Sequence, residues 1–277
     1  MYRIRSACQG DMAFILELAA KEGWNPGLSD QTCFYQADPE GFFIGELSGR
    51  PIGCVSAVSY GGFGFLGLYI VAEPYRGQGY GLALWQRAMD RLAGKNIGLD
   101  GVVAQQENYK KSGFRLAHRN LRYQGIIPAG PGLPPDIAAG ESQAFPALLA
   151  YDTRHFPEPR QTFLAAWLSA PEHRSLVCRR DGQVRGYGVI RRCLQGYKIG
   201  PLFADDSEIA QGLFQGLAAL ADQEPVFLDI SETNKEALAL CQAQGMTAQF
   251  ETARMYTGPA PDLPWDQVYG ITTFELG

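Results

Sequence analysis

The order of apolar and polar positions along the 277 residues predicts the same series of elements twice. In the first half, apolar residues at helical spacing predict a leading helix at residues 11–21 and a weaker helical segment near Gln31. Branched residues mixed with glycines and aromatics predict a β-hairpin or meander at 52–71. The elements expected next are a helix at 81–92, a strand at 97–103, a short helix ending at Gly113 and a final strand that closes the unit.

The second half repeats this series after two leading helices, which are expected at 142–150 and 161–169. Its hairpin or meander spans 184–203, and the elements that follow are a helix at 209–220, a strand at 226–230, a short helix ending at Gly245 and a final strand. Matching residues stand 132 or 133 positions apart in the pairs Gly53 and Gly186, Ala72 and Ala204, Gly113 and Gly245, and Tyr123 and Tyr256. A nearly constant offset indicates a duplicated unit.

Prolines and glycines dominate residues 125–136, a composition typical of an extended connection between domains. We therefore expect an N-terminal domain at 1–127, a linker at 128–136 and a C-terminal domain at 137–277. Each domain is predicted to belong to the α+β class, with a central, mostly antiparallel sheet that mixes strand directions and is flanked by helices.

Composition narrows the possible partners. With 46% hydrophobic and 19% charged residues, the chain resembles a soluble globular protein, and its net charge of −5 argues against nucleic acid or an anionic membrane as partner. Glu17 interrupts the most apolar N-terminal stretch, so no secretion signal or membrane span is predicted and a cytoplasmic location is expected. Six cysteines without C-x-x-C spacing and three dispersed histidines predict reduced thiols and no metal site.

Candidate chemistry is concentrated where a strand enters a glycine-rich turn that opens a helix. The turn consists of Arg76, Gly77, Gln78, Gly79, Tyr80 and Gly81. Such a turn leaves the first backbone N–H groups of the helix unpaired at the positive end of its dipole, which favours binding of a pyrophosphate. The glycines allow close approach of the anion, and Arg76 adds a positive charge. The alternative is a strand-to-helix turn without a ligand.

Three phosphate-binding motifs were compared with this segment. The Walker pattern is absent, and a formal G-x-G-x-x-G match at residues 62–67 precedes a strand rather than a helix. The remaining pattern, R-x-x-G-x-G after a strand and a V-x-x-P segment, resembles the pyrophosphate loop of the GNAT superfamily of N-acetyltransferases. One departure is Glu73 in front of Pro74, because the family usually has proline two residues after the strand valine.

The resemblance extends to the family's Y-x-x-x-G-F segment, which here begins at Tyr109 and follows Asn108. It implies acetyl-CoA as cosubstrate, with the turn and Asn108 among the residues that bind it. The backbone N–H groups implied to hold the pantetheine arm and the thioester carbonyl, in a gap between two splayed strands, are those of Tyr69, Ile70 and Val71. In GNAT enzymes the tyrosine often protonates the departing thiolate; the alternative for Tyr109 is a packing aromatic.

By the same resemblance, the loop between the leading helices borders the acceptor. The candidates to line the acceptor cavity are Trp24, Asn25, Tyr60 and Phe65. A core anchor is an equal alternative for Trp24. The strand before the turn has no carboxylate or histidine, so the general base is left open between a water relay, Glu46, Asp100 and a backbone carbonyl.

The second half lacks the arginine and the glycine run before its helix, where Asp205 and Asp206 would repel a diphosphate. Cys241 stands where the first half has Tyr109. This half resembles a degenerate GNAT copy, and the whole chain resembles the tandem-GNAT proteins of bacteria. The activity implied is transfer of an acetyl group from acetyl-CoA to a primary amine of a small molecule or peptide, by a monomer or homodimer without metal. The alternative is a non-catalytic acyl-CoA sensor.

Overall fold

The computed structural model describes residues 1–128, 130, 132–140 and 145–277. Within those residues, thirteen strands form one continuous sheet, and helices pack on both of its faces. Alternate residues of the third strand show how the two faces are covered: Cys54 and Val58 pack with the first helix, whereas Val55 and Ala57 pack with the third. Among the described helices, none has the length and apolar character that a membrane crossing requires.

Six strands and four helices form the first half. The strands are β1 (Tyr2–Ser6), β2 (Phe42–Leu47), β3 (Arg50–Tyr60), β4 (Phe63–Val71), β5 (Asn96–Val102) and β6 (Arg115–Gly125). The helices are α1 (Met12–Lys21), α2 (Asp30–Ala37), α3 (Tyr80–Arg91) and α4 (Gln106–Lys111).

The second half repeats this order and adds a short strand. Its strands are β7 (Ile137–Ala139), β8 (His173–Arg180), β9 (Gln183–Arg192), β10 (Tyr197–Ala204), β11 (Val226–Ser231), β12 (Thr247–Tyr256) and β13 (Val268–Gly270). Its helices are α5 (Phe145–Thr153), α6 (Gln161–Ser169), α7 (Ser207–Ala218) and α8 (Lys235–Ala243). The first residues of the helix expected at 142–150, and residues 129 and 131 of the expected linker, lie outside the described residues.

Strand directions confirm the predicted class. The order across the sheet is β1-β2-β3-β4-β5-β12-β6-β11-β10-β9-β8-β7, and β13 pairs with β10. Neighbours run antiparallel except β4 with β5 and β10 with β11, which are parallel. The two parallel pairs occupy equivalent places in the halves, as expected of a duplicated unit.

The halves exchange their final strands. β12 lies between β5 and β6, and β6 pairs with β11. The expectation that a final strand closes its own unit is therefore wrong. The reason lies in the apolar contacts: Ala253 and Met255 of β12 belong to the core that packs against α3, so the second half completes the core of the first.

Two buried ion pairs cross between the halves at equivalent places. Arg254 of β12 donates to Asp100 of β5 at 2.8 and 2.5 Å, and Arg122 of β6 donates to Asp229 of β11 at 2.7 Å from both Nε and Nη2. None of these four side chains is more than 7% exposed. A shift of register would leave these charges buried without their partners, and removing one partner of a buried pair costs about 3–5 kcal/mol.

Each parallel strand pair separates after a few residues. β4 and β5 pair over residues 63–66 and 96–99 and then diverge, where Leu68, with φ of 46°, bulges β4. We call this gap the first fork. β10 and β11 pair only at residues 197–199 of β10, and the gap beyond them, the second fork, contains β13, which runs antiparallel to β10.

Candidate functional site

The first fork opens into a cleft of about 460 Å³ between β4 and β5, with the turn before α3 at one end. Ten of the residues singled out from the sequence line it: Trp24, Tyr69, Ile70, Val71, Arg76, Gly77, Gly79, Gly81, Asp100 and Tyr109. Because pairing between β4 and β5 ends at Leu66 and Leu99, the edge of β4 beyond Leu66 faces this opening rather than a neighbouring strand.

The turn before α3 has a backbone that glycine adopts readily. Gly77 and Gly79 have φ of 75° and 86°, and a Cβ added at either would meet no atom within 4 Å. Glycine is therefore favoured at both positions by the backbone conformation and not by a lack of space. At Gly81, by contrast, an added Cβ would lie 2.7 Å from the Tyr69 hydroxyl. Gly79 provides no side-chain cap to α3. The Leu82 N–H donates to the Gly79 carbonyl at 3.2 Å, and the N–H groups before it are left for a ligand.

Arg76 joins this turn to the end of α1. Its Nε donates to the Val71 carbonyl at 2.7 Å, and its guanidinium pairs with Glu22. The Arg76 side chain is 47% exposed at the cleft. A phosphate at the turn would compete with Glu22 for the guanidinium, while the bond to Val71 keeps Arg76 in place.

Three residues expected to bind the cofactor do not line the cleft. Gln78 donates to the Pro74 carbonyl at 3.1 Å, and the Tyr80 ring packs against Tyr2 with centroids 4.7 Å apart. Asn108 is exposed and hydrogen-bonded to side chains three residues before and after it. Gln78 and Tyr80 therefore contribute to this turn through their backbone, and Asn108 lies outside the cleft wall.

Tyr109 projects from α4 into the cleft wall. Its ring stacks on Trp85 with centroids 5.4 Å apart, and it lies so close to β5 that a Cβ added at Gly101 would be 2.2 Å from its Cε2. Burial, with a smaller contribution from Tyr69, raises the pKa of Tyr109 to about 12. The phenol therefore keeps its proton at neutral pH, as a proton donor must.

A second cavity, of about 40 Å³, adjoins the cleft. It shares Trp24, Gly67, Asp100 and Val102 with the cleft. The remaining walls come from the bulge, the exchanged strands and the segment after β13, and are formed by Leu68, Arg122, Phe250, Thr252, Phe274 and Glu275. We call it the side cavity; the second half supplies much of its wall.

Three candidate acceptor residues lie away from both cavities. The Asn25 side chain exchanges two hydrogen bonds with the backbone of Gln195, which joins the halves. The Tyr60 hydroxyl donates to the Leu276 carbonyl at 3.2 Å, and Phe65 is fully buried in the core shared by both halves. Of the four candidate acceptor residues, Trp24 alone lines the cleft and the side cavity, and Asn25, Tyr60 and Phe65 line neither.

Both carboxylates considered as general base are already paired. Glu46 forms ion pairs with two arginines of β1 and does not line either cavity. Asp100 lines both cavities, but it is bound by Arg254 and accepts a hydrogen bond from Asn120 at 2.7 Å. Burial raises the pKa of Asp100 despite these partners.

Sequence reasoning missed Glu275. This side chain lines the side cavity, the residue is 6% exposed, and its Oε2 has no hydrogen-bond partner. It lies far along the chain from the glycine turn and from Tyr109, in a segment without a recognisable motif. Only the path of the chain after β13 brings it to the first fork.

Comparison with known proteins agrees with the duplication. Residues 10–114 match the family model described as "Acetyltransferase (GNAT) family", and residues 148–270 match "Acetyltransferase (GNAT) domain". The chain is 31% identical to holothin acyltransferase of Pseudoalteromonas sp. (strain SANK 73390), over 94% of this chain and 90% of that protein. It is 27% identical to an uncharacterized N-acetyltransferase of Bacillus subtilis (strain 168), over 78% and 77% of the two chains.

Solved structures share the fold along the whole chain. A proposed acetyltransferase from Pyrococcus horikoshii superposes with a TM-score of 0.87 at 23% identity, covering 100% of this chain and 96% of that one. A tandem GNAT protein from the clavulanic acid biosynthesis pathway superposes with a TM-score of 0.63 at 12% identity, covering 94% and 100%. The chain therefore belongs to the GNAT family of acyltransferases and carries two GNAT domains in tandem.

Proposed function

We propose that the first half binds acetyl-CoA in the cleft and transfers its acetyl group to a primary amine of a small molecule or peptide. The observation that carries this proposal is the open first fork, which joins an uncapped helix N-terminus at one end and has the Tyr109 phenol in its wall. Because acetyl-CoA supplies an acyl group that is already activated as a thioester, the protein has to bind and orient the two substrates and exchange protons with them.

Binding uses groups that the fold leaves unpaired. The N–H groups at the start of α3, with Arg76, suit the diphosphate of the nucleotide. Beyond Leu66 the backbone of β4 has no partner strand on the β5 side, so it can pair with the pantetheine arm as an added strand would. The cleft of about 460 Å³ is of the size expected for a small-molecule site.

The transfer needs one proton donor and one proton acceptor. The amine nitrogen attacks the thioester carbon, a C–N bond forms, and the C–S bond breaks with its electron pair going to sulfur. Tyr109, protonated at neutral pH, donates its hydroxyl proton to that sulfur and recovers a proton from solvent. The products are the N-acetyl amine and CoA as its free thiol.

Three observations support assigning the chemistry to the first half alone. In the second half, Asp206 caps α7 by accepting from the Ile209 N–H at 2.9 Å, so the protein's own carboxylate occupies the place of a diphosphate. β13 occupies the second fork. Cys241, at the position of Tyr109, is fully buried. We retain 1–127 and 137–277 as the two domains, and the final strand of each pairs with a strand of the other.

Two assays on the intact chain test this function. Acetyl-CoA should raise the melting temperature, because a ligand that binds the native state stabilises it. Thiol release should then appear with at least one amine of a panel that includes holothin, the acceptor in the name of the 31% identical relative. Stabilisation by acetyl-CoA without thiol release from any amine would favour an acyl-CoA sensor, and no stabilisation would refute cofactor binding at the turn.

A further inference from the structure

The segment 271–277 connects the two forks. It follows β13, which lies in the second fork, and the Ile271 N–H donates to the Asp229 carbonyl at 2.7 Å. Farther along it reaches the first fork, where a Cβ added at Gly67 would lie 2.1 Å from the carbonyl oxygen of Glu275. All seven of its residues are buried. The strand that fills one fork therefore continues into a wall of the other.

Glu275 differs from the other buried carboxylates that the structure describes. Asp30, Asp100, Asp152 and Asp229 are each within 4 Å of an arginine nitrogen, and Glu46 is paired with two arginines. Glu275 has no such pair in the described chain, and its Oε2 is buried without a hydrogen bond. A buried, unpaired carboxylate is unfavourable unless a cationic or hydrogen-bonding ligand completes it.

Nearby cations act on Glu275 from a distance without binding it. The Glu275 carboxylate contributes to raising the pKa of Arg122 and of Arg191, so its charge interacts with both. Arg122, however, is committed to Asp229, and Lys198 donates to the Trp24 carbonyl at 2.9 Å. Because these two cations are bound to other partners, the Glu275 oxygens are left available to a molecule in the side cavity.

The other walls of the side cavity indicate the chemical character of the molecule that binds there. Trp24, Leu68, Phe250 and Phe274 present apolar surface, and the two phenylalanine rings lie 6.4 Å apart. The remaining charged groups that line it, Asp100 and Arg122, are neutralised by their own partners. A second charge near the amine would find no partner there, and about 40 Å³ admits the amine together with the first atoms of the body that carries it.

We propose that Glu275 is the catalytic carboxylate that accepts the proton of the attacking amine, and that the acceptor is a primary amine carried by an uncharged, apolar or aromatic body. This inference rests on the proposed acyl transfer. As the C–N bond forms, the nitrogen becomes positively charged, one of its protons passes to a Glu275 oxygen, and the Tyr109 proton goes to sulfur. Glu275 then releases its proton to solvent, so that one amine and one thioester yield one amide and one thiol.

The test compares Glu275→Gln with the wild type and with Glu251→Gln, a matched control. Glu251 lies on β12 between two residues of the side cavity, but its side chain is 45% exposed and paired with Arg119. Glutamine keeps the size of Glu275 and cannot take the proton. We expect Glu275→Gln to lower kcat/KM for benzylamine by about 10²–10⁴-fold, with acetyl-CoA affinity by calorimetry and Glu251→Gln activity both near wild type.

Aniline separates a proton-transfer role from a structural one, because its nitrogen is a much weaker base than that of benzylamine. The charged nitrogen formed when aniline attacks is therefore acidic enough to lose its proton to water without Glu275. The defect of Glu275→Gln should be smaller with aniline than with benzylamine, and benzylamine should be preferred to putrescine and lysine by the wild type. Equal loss with both acceptors, or activity like that of Glu251→Gln, would overturn the role of Glu275. Preference for putrescine or lysine would overturn the acceptor class.

Further outcomes keep this test decisive. If the wild type releases no thiol with these amines or with any amine of the wider panel while acetyl-CoA still raises its melting temperature, the proposed acyl transfer fails and this inference falls with it. Thiol release only with charged, polar acceptors of that panel would overturn this inference alone. If Glu275→Gln does not fold, Glu275→Asp replaces it: a carboxylate one methylene shorter should retain part of the activity and show the same smaller loss with aniline. An Asp variant with equal losses for both amines would contradict the proposal.

Discussion

Gly67 is the position at which one methyl group should disturb the acceptor side most. A Cβ added there would lie 2.1 Å from the Glu275 carbonyl oxygen and 3.2 Å from its Cα, whereas ordinary contacts begin at 3.4 Å. Gly67→Ala therefore forces residues of the segment 271–277 away from β4 by more than about 1 Å. A misplacement of about that size costs on the order of 10²-fold in rate when reacting groups must be aligned, and overpacking of this kind costs about 1–3 kcal/mol of stability.

Steady-state thiol release measures the first effect. We expect kcat/KM for the amine to fall about 100-fold in Gly67→Ala, with a smaller change in acetyl-CoA affinity because the turn at 76–81 lies away from the contact. Gly10→Ala is the matched control, since its added Cβ meets only the Cys8 sulfur at 3.8 Å. Wild-type turnover in folded Gly67→Ala would refute the claim that the segment 271–277 forms the acceptor wall.

Further predictions concern Tyr109 and the exchanged strands. Tyr109→Phe should slow turnover by about 10²–10⁴-fold and leave acetyl-CoA affinity nearly unchanged; an unaltered rate would remove Tyr109 from the mechanism. Burial raises the pKa of Tyr109 to about 12, so the proton-donating form is present at neutral pH and is lost only as the pH rises through that value. Deprotonation of Tyr109 should therefore cause no fall in activity up to about pH 10, and any alkaline fall in that range should be the same in the wild type and in Tyr109→Phe. Asp229→Asn should destabilise the protein by about 3–5 kcal/mol in denaturant titrations because Arg122 stays buried without its anion. The exposed pair of Glu17 and Lys21 is the control: Glu17→Gln should cost less than about 1 kcal/mol, and equal losses would contradict a special role for the buried pair.

The duplicated elements and the glycine turn were predictable because their residues carry local requirements. A helix that covers one face of a sheet needs apolar residues at helical spacing, as Met12, Ile15 and Leu18 provide in α1. A turn with positive φ favours glycine, as at Gly77 and Gly79. Such requirements can be recognised without knowledge of the rest of the fold.

The exchange of final strands and the place of Glu275 were not predictable in this way. Alternation along β6 and β12 specifies which residues face the core, but it does not specify the neighbouring strand. The residues that determine the pairing, such as Asp100 with Arg254, are far apart in sequence. Asn25, Tyr60 and Phe65 were expected on the acceptor side because of the family resemblance, whereas in the structure they pack or form hydrogen bonds at the contact between the halves.

Acyl transfer as proposed requires the turn at 76–81 to be the one acyl-CoA site of the chain. Calorimetric titration of acetyl-CoA into the intact protein and into Gly79→Val tests it directly. Valine disfavours φ of 86°, so the free turn of the variant relaxes to another conformation, and restoring the binding conformation costs about 1–3 kcal/mol, enough to weaken binding about fivefold or more. We predict one molecule bound per chain in the wild type and at least that loss of affinity in the variant. Two molecules per chain, no binding, or equal affinity in Gly79→Val would contradict the account.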